Sequence, residues 1–149
     1  MKPNCIIIHG SNDSEKEAKE GVLENLRHWK PWLKEELEKS SFIVSNDLYP
    51  KDWSPEYEEW RRVFEKNKIN KETVLVGHSA GSAFIIKWLS EKKKKVNKVI
   101  LVAPCIIKCG KNKELSDLKD FNYDSSLKDY FKNLVVLYSD NDDEDIIKS

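Results

Sequence analysis

The chain predicts an α/β fold, a three-layer α/β/α arrangement around a doubly wound parallel sheet of about five strands. Three observations carry that expectation. Short apolar runs recur at residues 5–8, 42–44, 73–76, 99–102 and 134–137. Polar stretches with helical periodicity separate them, and such alternation is the signature of βαβ units. The third run passes directly into Gly77-His78-Ser79-Ala80-Gly81 and then into a helix-prone segment, residues 82–89. A strand, a Gly-x-Ser-x-Gly turn and a helix, in that order, expose a serine hydroxyl at the edge of a sheet.

Each element follows from local chemistry. Cys5-Ile6-Ile7-Ile8, ended by His9-Gly10, reads as a buried parallel strand. Residues 11–20 are polar and helix-prone, with Asp13 or Ser14 as N-cap. Val22, Leu23, Leu26 and Trp29 continue at helical spacing until Pro31 breaks or restarts the helix. Trp32, Leu33 and Leu37 then form the apolar face of the second piece. After the second strand comes a proline-containing loop, residues 46–53. Ser54-Pro55-Glu56 supplies an N-cap, an N1 proline and an acidic first turn for a helix that points Tyr57, Trp60, Val63 and Phe64 inward. The lysine run at residues 92–95 suits a solvated helix C-terminus, where the helix dipole favours cations. Residues 105–124 are polar and irregular, and a short helix is expected near residues 125–131. No repeat or linker divides the chain, so residues 1–149 are expected to form one domain.

Composition narrows the function classes. The 26 basic and 26 acidic residues cancel, which argues against a nucleic-acid partner. Cys5, Cys105 and Cys109 lack metal-site spacing, and His9-Gly10-Ser11-Asn12-Asp13 lacks a phosphate-binding glycine fingerprint. No metal and no cofactor are expected. The N-terminal apolar run is too short for a signal sequence or a membrane span, so no membrane association is expected. An odd cysteine count without a disulfide framework suits a reducing compartment, and a cytoplasmic location is the expectation.

Ser79 is the candidate nucleophile. A serine hydroxyl needs a base within hydrogen-bond reach and donors for a developing oxyanion. The backbone N–H of Ala80, at the helix start, is one candidate donor, and that of Ser11, beside Gly10, is the second. Ligands of parallel sheets sit beyond the carboxyl ends of the strands, where His9-Gly10, Ser79, Ala103 to Cys105 and Ser139 to Asp143 should converge. Asp140, Asp142, Asp143 and Asp145 crowd the last of these loops as candidate acids. The histidines are His9, His28 and His78, and none follows Ser79. His78 is expected to pack away from the serine, His9 to shape the oxyanion loop, and His28 to be a surface or capping residue. The alternative for His28 is that residues 11–27 fold it over the serine as a substitute base.

With these residues in view, the chain resembles small single-domain α/β hydrolases related to the retinoblastoma-binding serine hydrolase. The match runs through Ile6-Ile7-Ile8-His9-Gly10, Trp32-Leu33-Lys34-Glu35-Glu36-Leu37-Glu38-Lys39, Trp60 and Val74-Leu75-Val76-Gly77-His78-Ser79-Ala80-Gly81. It continues through Val99-Ile100-Leu101-Val102 and Val135-Val136-Leu137-Tyr138-Ser139 into Asp142-Asp143. The resemblance implies a serine hydrolase acting on a small ester, thioester or amide, with Ser79 as nucleophile. It implies Asp143 as the acid, with Asp142 as fallback. Such hydrolases carry their base in a Gly-His pair on a later segment, so the fold is expected to be C-terminally short. The alternative is a catalytically impaired pseudo-hydrolase or truncated product that serves as a binding module. The family's Leu-x-Cys-x-Glu signature is absent, so the retinoblastoma partner is not implied. Residues 11–27 are an insertion relative to that family. The fifth strand is expected to be an exposed edge, open to self-association.

Overall fold

Cys5, Ile6, Ile7 and Ile8 are buried on both faces, which places β1 (Asn4–Ile8) inside the sheet rather than at its rim. The computed structural model describes residues 2–106, 116–122, 125–142 and 147–148. The other strands are β2 (Ile43–Ser45), β3 (Val74–His78), β4 (Val96–Val102) and β5 (Phe131–Leu137). All pair in parallel in the order β2-β1-β3-β4-β5. The direction of winding reverses between β1 and β3, and the crevice at such a switch point is where these sheets take ligands. Register brings the critical loops together: Ile8 pairs with Gly77, and His78 with Val102.

The helices are α1 (Glu15–Glu20), α2 (Lys30–Lys39), α3 (Tyr57–Phe64), α4 (Ala80–Lys92) and α5 (Ser116–Lys119). One sheet face, Cys5, Ile7 and Val76, packs under Trp29, Leu33 and Leu37 of the α2 region. The opposite face, Ile6, Ile8 and Leu75, packs under Trp60 and Phe64 of α3 and Ala83, Phe84 and Ile85 of α4. The expected α/β/α layering is therefore present. In α4 every residue from Ala80 to Leu89 is buried, so the helix lacks a polar stripe. Its one lysine in that stretch, Lys87, donates to the Asp117 carbonyl at 2.7 Å and lies 4.4 Å from the Tyr57 ring centroid.

Ser14, of the two N-cap candidates, caps α1, its Oγ accepting from the Glu17 N–H at 3.2 Å. Other local expectations change. Val22, Leu23 and Leu26 do not continue a helix; a 3-10 turn (Glu24–Leu26) leaves them 60, 43 and 53 % exposed. Gly21 closes α1 by donating to the Glu17 carbonyl, and Glu24 then turns inward to meet Arg27 and Lys30. A buried ion-pair cluster thus displaces the apolar face that the spacing suggested. Trp32 stays 62 % exposed, because Trp29, Leu33 and Leu37 already form the inward stripe of α2. Helix α3 begins at Tyr57, not at Pro55, and its first N–H is taken by the Asp117 carboxylate at 2.5 Å. The expected helix at residues 125–131 is a 3-10 segment (Ser125–Tyr130) that runs straight into β5.

Candidate active site at the β3–α4 turn

Ser79 sits at φ 51°, ψ −115°, a region that costs a residue with a Cβ about 1–3 kcal/mol unless its surroundings enforce it. Three hydrogen bonds enforce it here. Its N–H donates to the Val102 carbonyl at 3.0 Å, and its own carbonyl accepts from Ser82 (3.0 Å) and Cys105 (3.3 Å). The flanking glycines serve close approach. A Cβ on Gly81 would lie 2.6 Å from the His9 carbonyl oxygen and nearer still to that of Ile8. A Cβ on Gly77 would lie 2.9 Å from the Ser82 backbone, against which β3 turns into α4. Ala103, at the end of neighbouring β4, also has a positive φ of 45° and donates to the Leu137 carbonyl at 2.7 Å. Two strained residues thus stand side by side at the carboxyl edge of the sheet.

Ser79 opens onto a cavity of about 300 Å³ whose wall includes Gly10, Ser11, His28, His78, Ala103 and Asp142. Asp13, Glu17, Glu24 and Arg27 add charged groups to it. A neighbouring cavity of about 380 Å³ shares His28, His78, Ala103 and Asp142 but is completed by Trp29, Val102, Leu137 and Tyr138. A polar chamber therefore adjoins a more apolar one. A larger cavity, about 460 Å³, lies along the β1–β2 side near Lys34 and Asn67 and contains none of these groups. Size alone does not single out a candidate here; the strained serine at the strand ends does.

The predicted residues occupy this site unevenly. The Ala80 N–H is the first of α4 and has no intrahelical acceptor by the geometry of a helix start. Ser11 is half-buried on the loop after β1 and lines the cavity. Asp142 reaches both cavities from the turn after β5, where its Oδ2 accepts from the Ser139 N–H at 2.7 Å. Asp140 is exposed. Asp143 and Asp145, like Cys109, lie outside the described residues.

The histidines separate by their surroundings. His9 is wholly buried, and its Nε2 accepts from the Tyr49 N–H at 2.8 Å. The proton is therefore on Nδ1, which donates to the Gly10 carbonyl at 2.6 Å. Both nitrogens are engaged, so His9 shapes the loop. Burial holds its pKa down to about 4. His78 is likewise pushed down to about 4 by burial, and its Nδ1 is buried without a hydrogen-bond partner. Its ring stands edge-on to those of Trp29 (5.8 Å) and His28 (6.0 Å). His28 is exposed, holds a positive φ of 58°, and lines both cavities. The structure brings it onto the same wall as Ser79 and Asp142.

Sequence reasoning missed the polar strap that carries His28 there. Arg27 Nη1 donates to Glu24 Oε1 (2.6 Å) and Asn12 Oδ1 (3.0 Å), and Asn12 Nδ2 donates to Asp52 Oδ2 (2.8 Å). Glu24 also faces the buried Lys30 ammonium at 3.6 Å. Burial lowers the Lys30 pKa and raises that of Asp52. These residues share no motif spacing, and only their burial reveals them.

A pH dependence follows from the two depressed histidines. In the unfolded chain each titrates near 6.5, in the folded one near 4. Between those values the unfolded state binds protons that the folded state refuses, so stability falls as pH drops through the window and is complete above it. His9 alone is worth about 3 kcal/mol at the lower end. The raised Asp52 carboxyl acts in the opposite sense and offsets part of this. Thermal melts from pH 7 to pH 4 should show the decline; a flat profile would contradict the neutral assignment of both rings.

Among the described residues no group of His, Cys, Asp or Glu is arranged to hold a metal ion, and no helix is long and apolar enough to cross a membrane. The ydeN gene product of Bacillus subtilis is similar in fold, with a TM-score of 0.71, 22% identity, and 91% of this chain and 70% of that one covered. An extracellular α/β-hydrolase from Paenibacillus matches with a TM-score of 0.46 and 15% identity, over 68% of this chain and 40% of its own. FphF, a fluorophosphonate-binding serine hydrolase of Staphylococcus aureus, matches with a TM-score of 0.44 and 15% identity, over 88% and 51%. No curated protein sequence matches the chain. The family described as serine hydrolase matches residues 5–146. With nearly the whole chain inside that match, the protein belongs to the serine hydrolase family.

Proposed function

We propose that Ser79 is the nucleophile of a hydrolase that cleaves a small ester, thioester or amide. The observation that carries this is the strained Ser79 backbone, held by three hydrogen bonds at the mouth of a cavity of about 300 Å³. Ser79 Oγ attacks the substrate carbonyl, and the oxyanion is met by the N–H groups of Ala80 and Ser11. Collapse expels the alcohol, thiol or amine, and water then releases the acyl group from Ser79. Asp143 is the acid by resemblance. Asp142 is the alternative, supported by its place on the cavity wall. The dimensions of the cavity favour a small substrate, with the adjoining apolar chamber receiving a hydrocarbon portion. A non-catalytic binding module would leave the strained serine without a use. The free thiols Cys5 and Cys105 suit a cytoplasmic setting.

We propose His28 as the group that accepts the Ser79 proton, because it is the exposed histidine on the wall of the cavity that Ser79 also lines. Labelling of the chain by a fluorophosphonate probe, followed by mass spectrometry, tests this. His28→Ala should slow labelling by about 100-fold or more, the usual contribution of a positioned base. Unchanged labelling in that variant, with Ser79 still the modified residue, would assign the proton to another group.

We further propose that the chain self-associates through β5. Among the described residues this strand pairs only with β4, and Leu134, Val135, Val136, Leu137 and Tyr138 are 37–67 % exposed. An unpaired edge with no charge between Asn133 and Tyr138 invites a second strand. Sedimentation should show a concentration-dependent dimer that Val136→Lys dissociates. A monomer at all concentrations would contradict this.

A further inference from the structure

Outside the Ser79 cavity, Cys105 and Lys119 form a second cluster of reactive groups. Lys119 Nζ donates to Cys105 Sγ at 3.1 Å, and each residue is only 4 % exposed. The other buried lysines have conventional partners. Lys30 faces the Glu24 carboxylate, and Lys87 a backbone carbonyl and an aromatic ring. Lys119, by contrast, directs a buried amine at sulfur.

Both sides of the pair are held in place. The Cys105 N–H is bound to the Ser79 carbonyl at 3.3 Å. Lys119 ends α5, whose Asp117 takes the first N–H of α3 at 2.5 Å and a 2.7 Å bond from Lys87 of α4. Cys5 supplies a contrast within the same protein. It is 1 % exposed, lies among Ile7 and Val76, and burial pushes its thiol up to about 12.

We propose that Cys105 and Lys119 are an oxidation-sensitive modification site that closes into a covalent Sγ–Nζ cross-link, with a peroxide as oxidant. In the first step the Cys105 sulfur attacks the peroxide. An S–O bond forms, the O–O bond breaks, and the departing hydroxide takes the thiol proton away as water. Sulfur loses two electrons and the peroxide gains them, leaving a sulfenic acid. In the second step Lys119 Nζ, as the free amine, attacks that sulfur. An S–N bond forms, the S–O bond breaks, and the hydroxyl leaves with one amine proton as a second water. No further electrons change hands, and an added thiol reverses the link by attack at sulfur. Sulfenic acids condense in this way with nearby nitrogen, and the amine here is already in contact. The link stands independently of what Ser79 catalyses.

The test uses the full chain carrying Cys109→Ser, which removes a competing disulfide. The protein is treated with hydrogen peroxide, digested with trypsin and mapped by mass spectrometry. The expected product joins the Cys105 and Lys119 peptides, two hydrogens lighter than their sum, with cleavage after Lys119 blocked. Dithiothreitol should return both peptides, and Cys5 should remain a thiol. Lys119→Arg retains the charge but offers no amine, and in that variant Cys105 should advance to the sulfinic acid with no cross-link. The proposal is overturned if Cys105 in the Cys109→Ser protein oxidises to sulfinic acid while Lys119 is still cleaved normally. It is equally overturned if Cys105 in the Lys119→Arg variant cross-links to a different lysine.

Discussion

Ser79→Ala should abolish covalent labelling and lower ester turnover by about a millionfold relative to a fully assembled hydrolase, the loss typical when a nucleophile is deleted. Hydrolysis of an activated acetate ester and the mass of the probe-treated protein report the two effects. Folding should change little, because alanine keeps the Cβ that makes φ 51° costly. Ser79→Gly separates strain from chemistry. It should be equally inactive yet more stable, by about 1 kcal/mol, since glycine adopts positive φ without penalty. Turnover that survives in both variants would remove Ser79 from the chemistry. Loss of activity without any stabilisation in the glycine variant would mean that the elbow holds no strain.

Gly81→Ala should be the most damaging single-methyl change in the protein. The added carbon meets the carbonyl oxygens of Ile8 and His9, which are main-chain atoms and not flexible side-chain ends. Strand β1 cannot retreat, because it is bonded to β2 on one side and β3 on the other. The helix must therefore lift away from the sheet and carry its buried residues with it. A cost of at least about 3 kcal/mol is expected, or roughly 10 °C in melting temperature for a domain of this size. Gly10→Ala is the milder companion, since its nearest atom would be the Ser79 Cβ at 3.1 Å. Denaturant unfolding of both variants gives the comparison. A loss below about 1 kcal/mol at Gly81 would show that α4 can shift freely.

The centre of the sheet was legible because β1 and β3 are largely buried, so Cys5-Ile6-Ile7-Ile8 and Val74-Leu75-Val76 appear as unbroken apolar runs. The elbow was legible because close packing demands glycine at positions 77 and 81, and that requirement is written into five consecutive residues. What could not be read depends on distant partners. Asp117 caps a helix that begins 60 residues earlier, and its side chain carries no local mark of that role. Glu24 looks like a surface residue until Arg27 and Lys30 are seen to enclose it. That inversion sets the path of residues 22–29 and delivers His28 to the cavity wall. Spacing put Trp32 on the apolar face together with Leu33 and Leu37, but only the two leucines align with Trp29 and pack on the sheet. Among the four candidate acids, proximity in sequence could not discriminate at all. Of the two that are described, Asp142 lines the cavity that Ser79 also lines, and Asp140 does not.

The enclosure of α4 has a consequence for motion. A helix buried continuously from Ala80 to Leu89 has no solvent-facing side from which it can peel away. Its amides can exchange with deuterium only when the surrounding layers come apart, so they should report the global unfolding free energy. The polar segment from Ser11 to Arg27, resting on a few hydrogen bonds and ion pairs, should exchange by smaller openings at far lower cost. The serine is thus fixed to the slowest-opening part of the molecule, while the wall opposite it belongs to the fastest. Motion that widens the cavity should therefore come from the strap, while the turn at Ser79 stays fixed.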